Sequence, residues 1–127
     1  METMKYEIFV EDNEGYLVIR VSDPVTDDLL TELIRNVAGK ASETGITNFL
    51  FDLRRAANQA HTATCWEVIH HLMKELGFTS LSKHALLVSP EHAAEYNLLD
   101  TLFFNAGYQS RTFLSEPEAI EWMAEKK

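Results

Sequence analysis

Arg54 and Arg55 are followed within a short stretch by Asn58, Gln59 and His61, and then by Thr62 and Thr64, just ahead of an apolar-periodic run that begins at Cys65. Two guanidiniums beside the unpaired N–H groups that open a helix can hold a carboxylate or a phosphate. The plainer alternative pairs these arginines with some of the chain's many surface carboxylates and leaves the loop solvated, and the residues by themselves favour it. Asp52, at the end of the preceding apolar run, reads as a loop hydrogen-bonder rather than a catalytic acid.

The remaining reactive side chains do not converge. His61 and Cys65 stand four apart, and His70 and His71 follow on the same run. A zinc site needs at least three converging ligands, whereas Cys65, His70 and His71 are dispersed around a helix that His61 precedes, so no metal and no cofactor is expected. His84 and His92 flank a strand and a helix start with no spacing that recruits them. A nucleophilic Cys65 or Ser89 would need a base oriented by a third group, and His61 with Cys65 is the only local pair. Such an enzyme would carry a thiol of depressed pKa. The chain has no Gly-x-Ser-x-Gly elbow, no Gly-rich phosphate loop and no carboxylate pair within an apolar stretch, so no enzymatic activity is expected.

The elements that would position these groups follow from periodicity. Residues 5–11 and 15–21 are β-rich runs separated by Asp12, Asn13 and Glu14, with Gly15 closing a hairpin turn. Leu29, Leu30, Leu33, Ile34 and Val37 form a helical stripe that Thr26 would cap and Gly39 would stop. Strands are expected over 46–53, 84–89 and 109–114, and helices over 65–76 and 90–106, ending at Gly77 and Gly107. Thr64 with Glu67, and Ser115 with Glu118, fit capping boxes, and Ser89 before Pro90 offers a third cap. The order is β-β-α-β-α-β-α-β-α. It implies an α/β fold with a mainly parallel five-stranded sheet and an antiparallel N-terminal edge strand. In the helix expected over 90–106, Leu98, Leu99, Leu102, Phe103 and Ala106 make a stripe, with Tyr96 and Phe104 off its centre. That width suits core packing first, and otherwise an apolar pocket or a subunit contact.

Length and charge exclude several functions. The 127 residues, 46% hydrophobic and 24% charged, suit one domain spanning 1–127, with no repeat or linker to divide it. Eleven basic residues against twenty acidic ones give a net charge of −9, which repels nucleic acid and anionic membrane surfaces. The lone Cys65 cannot form an internal disulfide, Met1 to Lys5 lack the pattern of a signal peptide, and no apolar run approaches a membrane span. A cytoplasmic location is expected.

Several local phrases carry a resemblance. Phe51-Asp52-Leu53, Ala85-Leu86-Leu87-Val88-Ser89, Ala106-Gly107-Tyr108, Arg111-Thr112-Phe113 and Glu118-Ala119-Ile120-Glu121-Trp122 resemble the SpoIIAA-like family, related in fold to the STAS domains of anti-sigma factor antagonists. The resemblance covers nearly the whole chain. It implies a sheet carrying helices and a protein-interaction function, while lipid-carrier domains of similar architecture supply an alternative. In the anti-sigma factor antagonists a phosphorylated serine lies in an Asp-Ser-Ser-Gly-like segment after the central strand. Residues 54–64 lack that segment, and Thr62 and Thr64 are hydroxyls in its neighbourhood. Helix capping is the favoured role for Thr64.

The expectation is therefore a non-enzymatic, cytoplasmic interaction or regulatory domain that binds a protein partner or a second copy through Arg54, Arg55, Asn58, His61, Thr62 and Thr64. The alternative is a small carrier of a lipid or other apolar anion. A carrier requires a contiguous pocket with Arg54 or Arg55 at its mouth, and an interaction module requires a filled core and an exposed apolar patch. The sequence leaves open whether helices cover both faces of the sheet.

Overall fold

β-branched and aromatic residues dominate Tyr6–Glu11 and Tyr16–Val21, which pair antiparallel as β1 and β2, with Ile8 opposite Ile19. The structure is a computed structural model that describes residues 5–11 and 15–125, so the expected turn at Asp12, Asn13 and Glu14 and the segment 1–4 lie outside the described residues. Strands β3 (Asn48–Asp52), β4 (Lys83–Leu87) and β5 (Gln109–Phe113) continue the sheet in parallel, in the unbroken order β1-β2-β3-β4-β5. This is the expected α/β architecture with its antiparallel edge strand.

The connections between the parallel strands all lie on one face. They are α1 (Asp27–Thr44), the continuous helical stretch formed by α2 (Thr62–Glu67), a π-helical segment (Val68–Leu72) and α3 (Met73–Glu75), and α4 (Ala93–Asn105). Their apolar sides meet Leu17, Ile19, Phe49, Phe51 and Leu86 in the larger core. The final helix, α5 (Glu116–Ala124), returns beneath the opposite face, where Ala119 and Met123 pack on Val18, Leu50, Ala85 and Leu87. Both faces are thus covered within one chain, and every residue of β2 except Arg20 is buried. Lys83, itself buried, donates from Nζ to the carbonyls of Trp122 and Glu125, both at 2.9 Å, and so closes the carboxyl end of α5.

Several expected boundaries move for physical reasons. Helix α1 runs through Gly39, because Ala38 and Ala41 extend its core-facing stripe for another turn. It stops at Gly45, where φ is +76° and the N–H donates to Ala41 O at 2.7 Å. The Thr64 capping box does not form, since Thr64 lies inside α2, which starts at Thr62 rather than Cys65. Ser89 does not cap α4. Its Oγ is buried without a hydrogen-bond partner among the described residues, while His92 N–H donates to Ser89 O at 3.1 Å in a turn that delays the helix to Ala93. Thr26 and Ser115 do cap, accepting from Leu29 N–H and Glu118 N–H. In α4, Tyr96 is fully buried and donates to Ala56 O at 2.6 Å, whereas Leu98 and Phe104 are exposed, so the stripe is rotated from its expected centre.

Candidate functional site

Parallel pairing sets Arg20 of β2 directly opposite Asp52 of β3, on the face that also carries Val18 and Leu50. Asp52 ends its strand with a side chain only 8% exposed, and Arg20 Nε donates to its Oδ2 at 3.3 Å. The chain turns immediately, so Arg54 reaches back and donates from Nε to Oδ1 and from Nη2 to Oδ2, both at 2.9 Å. The Arg54 backbone N–H adds a bond to Oδ1 at 3.3 Å. Burial pushes the Asp52 carboxyl upward, but the hydrogen bonds and charge of Arg54, with the bond from Arg20, outweigh it and hold the group below the usual carboxylate range.

Helix α5 adds a second carboxylate. Glu116, in its first turn, accepts from Arg54 Nη2 at 3.3 Å. Arg20, Val21, Asp52, Arg54 and Arg55 line an open groove of about 460 Å³ at the carboxyl ends of β2 and β3. Arg20 is further placed by its guanidinium lying 5.3 Å from the centre of the Phe9 ring.

The other half of the β3–α2 loop is tied elsewhere. Val25 and Asn58 form an isolated parallel bridge, Asn58 N–H donates to Glu95 Oε1 at 2.8 Å, and Asn58 Nδ2 donates to Glu95 O at 3.2 Å. His61 N–H donates to Asp27 Oδ1 at 2.7 Å, and its Nδ1 lies 2.8 Å from Oδ2. The backbone and side-chain bonds from His61, with a further one from Thr64, hold Asp27 below the usual range. The chain's own Asp27 carboxylate therefore stands where the loop enters α2, in keeping with the plainer reading in which the loop is met by the chain's own carboxylates. Of the six expected site residues, Arg54 and Arg55 share the groove. Asn58, His61, Thr62 and Thr64 do not line it, and Thr62 is exposed on the first turn of α2.

Cys65 is fully buried, and burial followed by the nearby Asp27 charge pushes its thiol up. The His61 imidazole meets Asp27, and the contact between His61 and Cys65 is a backbone bond, Cys65 N–H to His61 O at 3.0 Å. This arrangement provides no activated thiolate. Among the described residues, no three His, Cys, Asp or Glu side chains are grouped as metal ligands, and no helix is long and apolar enough to cross a membrane.

The interior between α1, α4 and the sheet holds a void of about 30 Å³, lined by Leu33, Phe51, Tyr96 and Phe103 among others. A separate recess of about 310 Å³ lies at the opposite end of the sheet, between Ile46, Phe49, Leu76 and Phe78, with no arginine in its lining.

Sequence reasoning missed Arg20 and Glu116. Arg20 was visible as the charged residue in an apolar strand, but its partner depends on register. Glu116 was visible only as part of a helix start. It also missed His84, which is fully buried among Phe49, Phe51, Phe78, Phe103 and Tyr108.

No protein-family model matches the sequence, and no curated protein does. Solved structures match over nearly the whole chain. A DUF3478-family protein with a SpoIIAA-like fold from Shewanella loihica PV-4 superposes with a TM-score of 0.62 at 14% identity, covering 98% of this chain and 99% of that one. The anti-sigma factor antagonist SpoIIAA in its unphosphorylated form gives 0.51 at 17% identity, over 92% of this chain and 96% of that one. The phosphorylated Bacillus cell fate determinant SpoIIAA gives 0.52 at 19% identity, over 92% and 97%. The chain has a SpoIIAA-like fold.

Proposed function

We propose that the chain is a non-enzymatic, cytoplasmic regulatory domain, its 127 residues acting as one unit that binds a protein partner or a second copy of itself. The contact surface comprises Arg54, Arg55, Asn58, His61, Thr62 and Thr64, on the β3–α2 loop and the first turn of α2. The observation that carries this reading is the open arginine groove beside a filled core. A void of about 30 Å³ is the size of a single water, so an acyl ligand would have to prise α1 and α4 from the sheet. The interaction reading needs no such opening. The fold it shares with SpoIIAA, an anti-sigma factor antagonist, supports a regulatory role. Residues 54–64 lack that protein type's serine segment, so the proposed contact does not depend on a phosphoserine. The lone buried Cys65 suits a reducing compartment.

Native mass spectrometry of protein purified gently from its own cells tests the proposal. The expected result is a protein–protein complex that Arg55→Glu dissolves. A retained species of lipid mass, released on denaturation, would overturn it in favour of the carrier.

A further inference from the structure

We propose that the arginine groove recognises an acidic side chain of the protein partner, and that Glu116 holds part of this site until the partner displaces it. The inference rests on the interaction reading above. Arg54 holds two carboxylates in unlike ways. Asp52 is buried and takes two side-chain bonds at 2.9 Å plus a backbone N–H, which makes it a fixed anchor. Glu116 takes one bond at 3.3 Å, with both side chains more than 40% exposed. A single solvated ion pair of that kind is weak, so an incoming carboxylate can replace it at little cost.

Unused donors line the groove beside Arg54. Arg20 spends Nε on Asp52, and its two terminal nitrogens meet no protein acceptor among the described residues. Arg55 makes no ion pair among the described residues, yet it lines the same groove. Three of the chain's five arginines thus face one cleft in a molecule of net charge −9. An acidic partner is repelled by most of this surface and attracted at this end of the sheet, so the charge distribution selects both the partner's chemistry and its landing point. The groove, about 460 Å³, exceeds what one carboxylate fills and leaves room for the side chain that bears it and its neighbours.

The test is a fluorescence-anisotropy titration of the full chain with a labelled hexaglutamate peptide blocked at both ends, at low salt. Glu116→Gln is expected to tighten binding about two- to fivefold, the range one exposed ion pair supplies. Arg55→Gln is expected to weaken it by a similar factor, and both effects should fade as salt is raised. Circular dichroism confirms that each variant is folded. Unchanged or weaker binding by Glu116→Gln would show that Glu116 does not compete for the site. No effect of Arg55→Gln would place the peptide elsewhere, and absence of peptide binding by all three proteins would remove the acidic ligand. Displacement of the peptide by equimolar inorganic phosphate would assign the groove to a small oxyanion and likewise overturn the proposal. These failures are separable from failure of the interaction reading. If the native complex still forms and still dissolves with Arg55→Glu, the surface stands and only its acidic chemistry falls.

Discussion

Asp52 and His84 are titratable side chains carried inward on neighbouring central strands, one at the carboxyl end of β3 and the other near the amino end of β4. Asp52 meets two guanidiniums and a backbone N–H and keeps its charge. His84 meets rings. Burial among Phe49, Phe51, Phe78, Phe103 and Tyr108 pushes its pKa down to about 4, and the contact of Nδ1 with Gln109 O at 3.3 Å resists this only in part. Its Nε2 is buried with no hydrogen-bond partner among the described residues. The difference shows how one sheet separates its tasks. Where charged partners carry the interior out to solvent, the groups keep their charge and stay in reach of solvent. Where aromatic rings close it, the same kind of polar residue becomes a neutral packing element, and its cost is sensitivity to acid.

Protonating His84 should break that closed end with the largest effect. A histidine whose folded pKa is depressed favours the neutral form, so the full stability is present above the unfolded value of 6.5 and is lost as pH falls from there towards about 4. The shift corresponds to about 3 kcal/mol over that window, by the 1.36 kcal/mol carried by each pKa unit. Urea unfolding at neutral pH and at the lower end of the window is the measurement, with His84→Phe as the comparison. The variant should lack most of the acid loss. His92 acts in the opposite sense, because Glu95 raises its pKa, so its contribution is present in acid and fades as pH rises. Identical pH dependence in both proteins would assign the acid loss to groups other than His84.

Asp52→Asn breaks the other end. It removes the charge that both arginines face and leaves the shape nearly unchanged, so it should cost about 1–2 kcal/mol near neutral pH, the value of charge-assisted hydrogen bonds to half-exposed donors. Asp52 has a lowered pKa, so its contribution is present above the ordinary carboxylate range and disappears as pH falls through a still lower value. The urea midpoints of the two proteins should therefore differ at pH 7 and converge as pH falls below the ordinary carboxylate range. Equal midpoints at pH 7 would mean that the turn after β3 holds itself without the carboxylate.

The sequence made the open end more legible than the closed one. Period-2 and helical spacing located every strand and the main helical stretches, and Thr26 and Ser115 could be identified as caps because a cap needs only its own next three residues. Gly39 misled because the choice between it and Gly45 depends on Ala38 and Ala41 finding the core, which is a tertiary contact. Arg54 and Arg55 stood out as charges after an apolar strand. Arg20 and Glu116 did not, since one depends on the β2–β3 register and the other on α5 crossing to the second face. The His84 cage draws rings from β3, α4 and the segments before β4 and β5, so no local window contains it.

Arg20→Gln makes the comparison sharper with the smallest change. The Arg20 side chain is 50% exposed and offers Asp52 one bond at 3.3 Å, against two at 2.9 Å from Arg54, so its loss should cost about 0.5 kcal/mol. A double-mutant cycle with Asp52→Asn, read from urea midpoints at pH 7, should return a coupling of the same small size. A coupling well above that would make Arg20 a second anchor for Asp52 rather than a donor held loosely at the groove, and its guanidinium would then be committed to the fold. The expected small value leaves Asp52 anchored through Arg54 and Arg20 free to turn towards whatever enters the groove. That freedom is what distinguishes this end of the sheet from the ring-locked imidazole at the other.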